Sequence, residues 1–370
     1  MAMKKEQNIS EKVNTSRIAS IEMLRCVAML MVITLHYLDK GGILVPLANV
    51  QSFAGVCAWI LEAFCIVAVN TYVLVSGYFL TESGFKLRRL IILVAQLVFY
   101  AVLVPVVLVV CGVLPASELT LYHVLNYIFP VQMNHYWFAT AYILMYIFVP
   151  VLSEGVKKLT KKQLQTVIVL AVMVFSVSKS VLPFQLEMDK KGYDAVWFVC
   201  LFLIAAYIRL YGINRLKKSS QGFLLYFISC VGIFTVSWVI AIASNRLGKF
   251  EYFIVSTFDY NHILCLLASV GLFTGFLHWK MPEGKIADFV RKIAPYTFGV
   301  YLLHENREIR YLWPKWLGVN NCFKGIGMLP HWLISILIVF TVGIVVDYLR
   351  SLLFKMIENI IRRTNKNIEE

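Results

Sequence analysis

The feature that most constrains this chain is the recurrence of long apolar runs. They lie near 20–38, 56–80, 90–113, 136–152, 164–182, 195–212, 222–243, 260–279, 294–312 and 331–353. Each is close to the 17–25 residues, roughly, that a helix needs to cross a bilayer. Lipid offers the backbone no hydrogen-bond partners, so runs of this kind span as helices. With 59% hydrophobic and only 15% charged residues, the chain carries more apolar surface than an ordinary soluble core can hide. The fold class read from this pattern is all-α: a polytopic integral membrane protein of about ten transmembrane helices. The ninth run is the weakest, because Glu305, Arg307, Glu308 and Arg310 follow its short apolar stretch at once.

The net charge of +14 would suit a nucleic-acid binder, but its distribution argues otherwise. With the N-terminus inside, the tails and inner turns hold 24 Lys and Arg residues and the outer loops hold nine. That asymmetry follows the positive-inside rule and places both termini in the cytoplasm, with no nucleic acid needed. Segments 1–19 and 355–370 then read as cytoplasmic tails around a membrane unit at 20–354. Met1 to Arg17 is polar and basic with no cleavable signal pattern, so the first span is expected to remain as an anchor. The eight cysteines are scattered, mostly in apolar runs, with no CxxC or Cys/His ligand spacing, and no metal site is expected. There is no Walker loop, no GxGxxG and no internal repeat to suggest a nucleotide fold or an inverted-repeat transporter. Gly271 and Gly275 form one GxxxG, which marks close helix packing.

The first run, SIEMLRCVAMLMVITLHYL, also contains Glu22, Arg25 and His36. The eleven-residue step from Arg25 to His36 leaves the two about 20° apart on one helix face and roughly 16 Å apart along the axis. Ionisable groups inside a span are costly and point to function. His36 is suited to accept a proton near neutral pH or to act as a nucleophile, and Asp39, one turn on, is placed to orient its ring. The competing structural reading pairs Arg25 with Glu22 and leaves His36 as a helix-end residue.

Further candidates follow along the chain. Ser76 and Gly77 close the second span, where small residues let a ligand, or simply another helix, come close. Glu62 and Asn70, eight residues apart on that span, need partners away from lipid, with Arg25 or His36 as candidates. Lys86, Arg88 and Arg89 form a basic inner turn that suits the phosphates of a nucleotide-containing donor, or serves only as an anchor. His135, Tyr136 and Trp137 begin the fourth span, where aromatics form an interfacial belt or stack on a sugar. His304 and Glu305 sit where an outer acceptor would arrive, with Arg307 close by for an anionic glycan. Lys179 is expected to snorkel outward.

Arg25-x10-His36 resembles the Arg/Lys-x10-His motif of the membrane acyltransferase-3 family, polytopic O-acyltransferases that modify surface glycans. NTYVLVSGYFLTESGFKLRRL (70–90) resembles that family's aromatic Ser-Gly-Tyr segment and basic turn. HYWFATAYILMYIFVP (135–150) is similar to its Tyr-Trp-Phe helix, and YTFGVYLLHE (296–305) to its late Tyr-Leu-x-His element. Longer members carry an esterase-like soluble domain that is not in this sequence. The resemblance implies transfer from cytosolic acyl-CoA, acetyl-CoA by default, to a hydroxyl of an extracytoplasmic or lipid-linked glycan, in the inner or plasma membrane. On that basis His36 and Arg25 are the catalytic candidates. Arg88, Arg89, Lys86, Ser76 and Gly77 are expected at the donor. Trp137, Tyr136, His304 and Asn70 are expected at the acceptor. No permanently bound cofactor is implied; acyl-CoA is a substrate, and the glycan and the bilayer are the partners. Direct attack by the sugar hydroxyl and an acyl-histidine route both remain open. A glycan or solute transporter is the alternative that composition alone allows.

Overall fold

The computed structural model describes residues 18–369 apart from 183 and 322–326. The basic residues Lys4, Lys5, Lys12, Arg17 and Lys324, part of the charge count above, lie outside the described residues. All regular structure among the described residues is helical.

Helix α1 (Ala19–Lys40) is apolar around most of its circumference and occupies the centre. Its most apolar window is 67% buried, against 22% for α10 and 17% for α16, which face the surroundings. Helices α2 (Phe53–Cys65) and α3 (Ala68–Ser83) follow as one 31-residue span. Ser52 caps α2 by accepting from the Gly55 N–H, and α3 stops at Gly84, whose φ of +61° suits a residue without a Cβ. Next come α4 (Leu87–Val110), the short α5 (Leu121–Ile128), and α6 (Trp137–Ile147) with α7 (Val149–Lys158). The last two are bent by 55° where Pro150 starts the second.

Helix α8 (Lys161–Val181) opens with a Thr160/Gln163 capping box and contains a π-helical turn at Met173–Val177. Asp194 caps α9 (Ala195–Tyr211) through the Trp197 N–H. The remaining helices are α10 (Ser219–Leu247), α11 (Glu251–Ser256), α12 (Ile263–Leu277), α13 (Lys285–Ile293), α14 (Thr297–His304), α15 (Leu312–Trp316) and α16 (Met328–Glu369). Helix α1 touches α2, α3, α12, α13, α14 and α16, so residues on several of its faces meet different neighbours.

The ten apolar runs therefore coincide with helices of unequal length. Among the described residues, six helices or helix pairs are long and apolar enough to cross a membrane, and the bent α6–α7 pair makes a seventh. Helices α9 and α12 are apolar but shorter, and α14 has only eight residues. In α12 most residues are buried against protein, where a short helix is tolerated at membrane depth. The polar residues after the ninth run lie in the turns that follow α14, not in a helix.

Two contacts fix the frame. Helix α10 crosses α12 at Gly222, Gly271 and Gly275: a Cβ on Gly222 would lie 2.3 Å from the Gly275 nitrogen. At the other side, Asp347 of α16 is fully buried and accepts from Gln96 Nε2 and Tyr100 Oη of α4, while Arg350 grips it with two nitrogens at 2.8 and 2.9 Å. A Cβ on Gly299 would strike that carboxylate at 2.1 Å, so glycine is what allows α14 to lie there.

Candidate active site

His36 projects from the last turns of α1 onto the end of α14. Its Nδ1 lies 2.9 Å from Nε2 of His304. The Nδ1 of His304 lies 2.5 Å from the Val300 carbonyl, one helical turn back. A carbonyl only accepts, so that nitrogen carries the proton of a neutral His304 and Nε2 offers a lone pair. His36 must then donate from Nδ1, which leaves its Nε2 unprotonated. Among the described residues that Nε2 has no hydrogen-bond partner. Oε2 of Glu305 sits 3.3 Å from the same His36 Nδ1 without the alignment of a hydrogen bond, so its contribution is charge alone. Arg310 steadies the carboxylate from its other oxygen at 3.4 Å.

His36 forms part of the wall of a narrow cavity of about 30 Å³ between α1, α3, α6 and α14. Met29 and Val32 contribute from the same helix, Tyr72 from α3, Trp137 and Phe138 from α6, and Tyr301 from α14. Tyr260, from the loop before α12, stacks on Trp137 at 5.6 Å with 20° between the rings. The Tyr301 hydroxyl is buried, and its proton has no acceptor among the described residues. An apolar slot with one free imidazole nitrogen and one free hydroxyl can accept a proton and stabilise a developing oxyanion.

Two further tyrosines extend from Phe138 of this slot. Phe138, Tyr142 and Tyr146 recur at helical spacing down α6, stacked at 6.3 and 6.1 Å. Tyr146 Oη ends the series on the backbone of Lys86, accepting from its N–H at 3.0 Å.

The residues singled out in the sequence fall in several places. Trp137 and His36 line the cavity, and His304 is buried against His36 without lining it. Arg25 is 31% exposed on its side chain and pairs with Glu22 at 3.3 Å, while its carbonyl accepts from Tyr72 Oη. Tyr136 is fully buried, donating to the Leu302 carbonyl and accepting from Asn306. Asn70 meets neither Arg25 nor His36: its amide donates to the Tyr260 carbonyl and accepts from Trp197 Nε1, which makes it a strut behind the cavity wall. Glu62 likewise meets neither, and its Oε2 is buried with no hydrogen bond among the described residues. Gly77 lies against Ala205 and Phe202 of α9 at 3.0–3.1 Å from where a Cβ would stand, so its smallness serves helix packing. Ser76 lies beside the Tyr142 hydroxyl. In the basic turn, Arg88 reaches Glu358 at 2.5 Å, Arg89 reaches Ser83 at 3.2 Å, and Lys86 is the residue before α4.

Three expectations change. Asp39 does not orient His36; it is 61% exposed and pairs with Lys40 at 2.6 Å, and the imidazole is held from α14 instead. Lys179 does not snorkel: it is 1% exposed and bound by Asp189 and Asp259. Arg307 is occupied by Asn126 and by the carbonyls of Met133 and Asn134, pinning the loop before α6. Tyr301, Tyr72 and Tyr260 were not singled out, and an aromatic in an apolar run gives no local signal that it lines a cavity. Among the described residues no group of three His, Cys, Asp or Glu side chains is placed to hold a metal ion.

A family profile described as an acyltransferase domain matches residues 18–349. No curated protein and no solved structure matches the chain.

Proposed function

The chain belongs to the acyltransferase 3 family and is a multi-pass membrane acyltransferase, and from that premise we propose its substrates and chemistry. It moves an acyl group, acetyl by default, from cytosolic acyl-CoA to a hydroxyl of an extracytoplasmic or lipid-linked glycan. The observation that carries this reading is the unpartnered Nε2 of His36 in the wall of an apolar slot.

In the proposed reaction, Nε2 takes the proton of the acceptor hydroxyl as that oxygen attacks the thioester carbonyl. The C–S bond breaks, the thiolate of CoA leaves, and the imidazolium returns the proton to sulfur. Ester and free thiol result, with no other reactant. Glu305 faces the imidazolium that forms and stabilises its charge, while His304 holds the ring through Nδ1. The Tyr301 hydroxyl is the donor for the oxyanion.

The donor enters from the basic turn. Lys86, Arg88 and Arg89 hold the phosphates, and the pantetheine arm follows the Phe138–Tyr142–Tyr146 row past Ser76. That row covers eight residues of helix, about 12 Å. Arg25, on the same helix as His36, supplies positive charge along the way. The acceptor approaches over Trp137 and His304, with Tyr136 and Asn70 supporting that wall from behind. This direction of transfer goes with ten crossings, cytoplasmic termini and residence in the inner or plasma membrane.

The reading is tested by exchanging His36→Ala in the native host and measuring O-acetyl groups on the surface polysaccharide by proton NMR, at matched protein abundance. Loss of the O-acetyl signal with the glycan still exported supports it. Unchanged acetylation removes His36 from the chemistry, and loss of the glycan itself favours transport.

A further inference from the structure

A second cavity, of about 530 Å³, lies between α8, the 184–194 segment and α9. Consecutive residues divide the two spaces: Tyr260 lines the first and Asn261 the second. The floor of the second is polar and buried. Lys179, Asp189 and Asn261 are 1%, 8% and 5% exposed. Lys179 holds Asp189 and, at 2.7 Å, Asp259. Asn261 donates from Nδ2 to the Phe175 carbonyl at 3.0 Å and to Asp189 Oδ1 at 2.8 Å. Both partners are acceptors, so the amide cannot be turned round, and its Oδ1 is left buried with no hydrogen bond among the described residues. The Phe175 carbonyl belongs to the π-helical turn of α8, a local irregularity that recurs at functional sites.

The mouth has the opposite character. Val174, Met188 and Val196 are 54%, 73% and 54% exposed at its edge. An apolar mouth over a polar floor fits an amphiphile. The floor selects its head. An orphan carbonyl oxygen asks for a donor, a hydroxyl or an N–H. Two carboxyl groups already share the one buried ammonium, so no positive charge is left over for an anionic head. At the rim, Lys190 is accompanied by Glu187 and Asp194.

We propose that this cavity binds the head of an amphiphile that is uncharged or cationic and rich in hydrogen-bond donors, a lipid-linked neutral or amino sugar, beside the wall of the His36 slot. That the sugar is the acyl acceptor rests on the acyltransfer reading above. The chemistry of the head does not, and its test needs no turnover.

The probe is octyl β-glucoside with a photoreactive diazirine in the alkyl tail. It is applied to the full chain in phosphatidylcholine nanodiscs below its micelle concentration, and labelled peptides are mapped by mass spectrometry. Labelling is expected within 174–196, competed by plain octyl β-glucoside. At equal concentration the matching octyl β-glucuronide, which is anionic, is expected to label at least tenfold less. Asn261→Leu, and separately Val196→Trp, which fills the mouth without touching the ion cluster, each reduce labelling at least fivefold. Equal labelling by the glucuronide, or labelling unchanged in both variants, would overturn the proposal. Repeating the experiment in phosphatidylethanolamine discs separates the sources of such a head. Competition there makes the resident a bilayer lipid with a donor-rich ammonium, and undiminished labelling makes it a saccharide lipid; both keep the stated head chemistry. If labelling behaves as expected while His36→Ala leaves acetylation intact, the cavity stands and the acyltransfer reading falls.

Discussion

A single carbonyl, that of Val300, decides the protonation pattern of two histidines 268 residues apart. Because it can only accept, it fixes the neutral His304 tautomer and leaves Nε2 of His36 free. Two residue-scale expectations follow from that chain of bonds. Glu305→Gln keeps the shape of the site and removes the charge facing the imidazolium, so kcat should fall about tenfold or more while KM for the acyl donor stays within twofold. Tyr301→Phe removes one oxyanion donor without changing the slot, and should lower kcat roughly 10²-fold. A steady-state assay with acetyl-CoA checks both; a fall in donor affinity alone would contradict the roles assigned. A third expectation concerns His135, in the loop before α6, whose two ring nitrogens are buried without partners among the described residues. Burial, then the charges of Arg307 and Arg310, push its pKa down to about 3 from the usual 6.5. The unfolded chain therefore binds the proton more readily, and this contribution to stability is present above pH 6.5 and lost as pH falls towards 3. His135→Phe should flatten the melting temperature against pH over that window; an unchanged slope would remove His135 as the cause. At this scale His36 was legible, because the eleven-residue step is a property of one helix. Its true partners were not: Asp39 is near in sequence, yet it sits at the exposed end of α1, and Glu305 comes from the turn after α14, brought in by the fold.

Among the elements, the crossing of α10 and α12 shows how far small residues speak for themselves. Gly271 and Gly275 announced a close contact four residues apart, but nothing local marked Gly222 as the residue that meets them. Gly222→Val would set a side chain against the Gly275 backbone and should cost about 1–3 kcal/mol or more. Gly232→Ala, on the same helix, meets only the tips of Leu264 at 3.7 and 3.8 Å and should be tolerated. Thermal unfolding of the two variants in detergent checks the pair. Equal melting temperatures would contradict the packing described. The aromatic row on α6 was visible as a Tyr-rich segment, but the bend at Pro150 and the contact of Tyr146 with the Lys86 backbone are tertiary facts.

For the whole molecule, hydropathy located every long helix because burial in lipid and burial in protein select the same residues. For the same reason it could not separate spans that face lipid from short helices enclosed by protein, such as α12 and α14. Sidedness is open to direct measurement. In a cysteine-free background, Lys190→Cys should react with an impermeant maleimide on intact cells, and Lys158→Cys only after permeabilisation. The reverse pattern would invert the proposed direction of transfer. The acyl-transfer chemistry itself is tested most directly by thiol release from acetyl-CoA. The purified chain, reconstituted in lipid with host membranes supplying the acceptor, is compared with His36→Ala at equal donor binding. Release by the wild type and a loss of at least 10²-fold in the variant are expected. Equal rates would show that the free nitrogen of His36 does not perform the reaction.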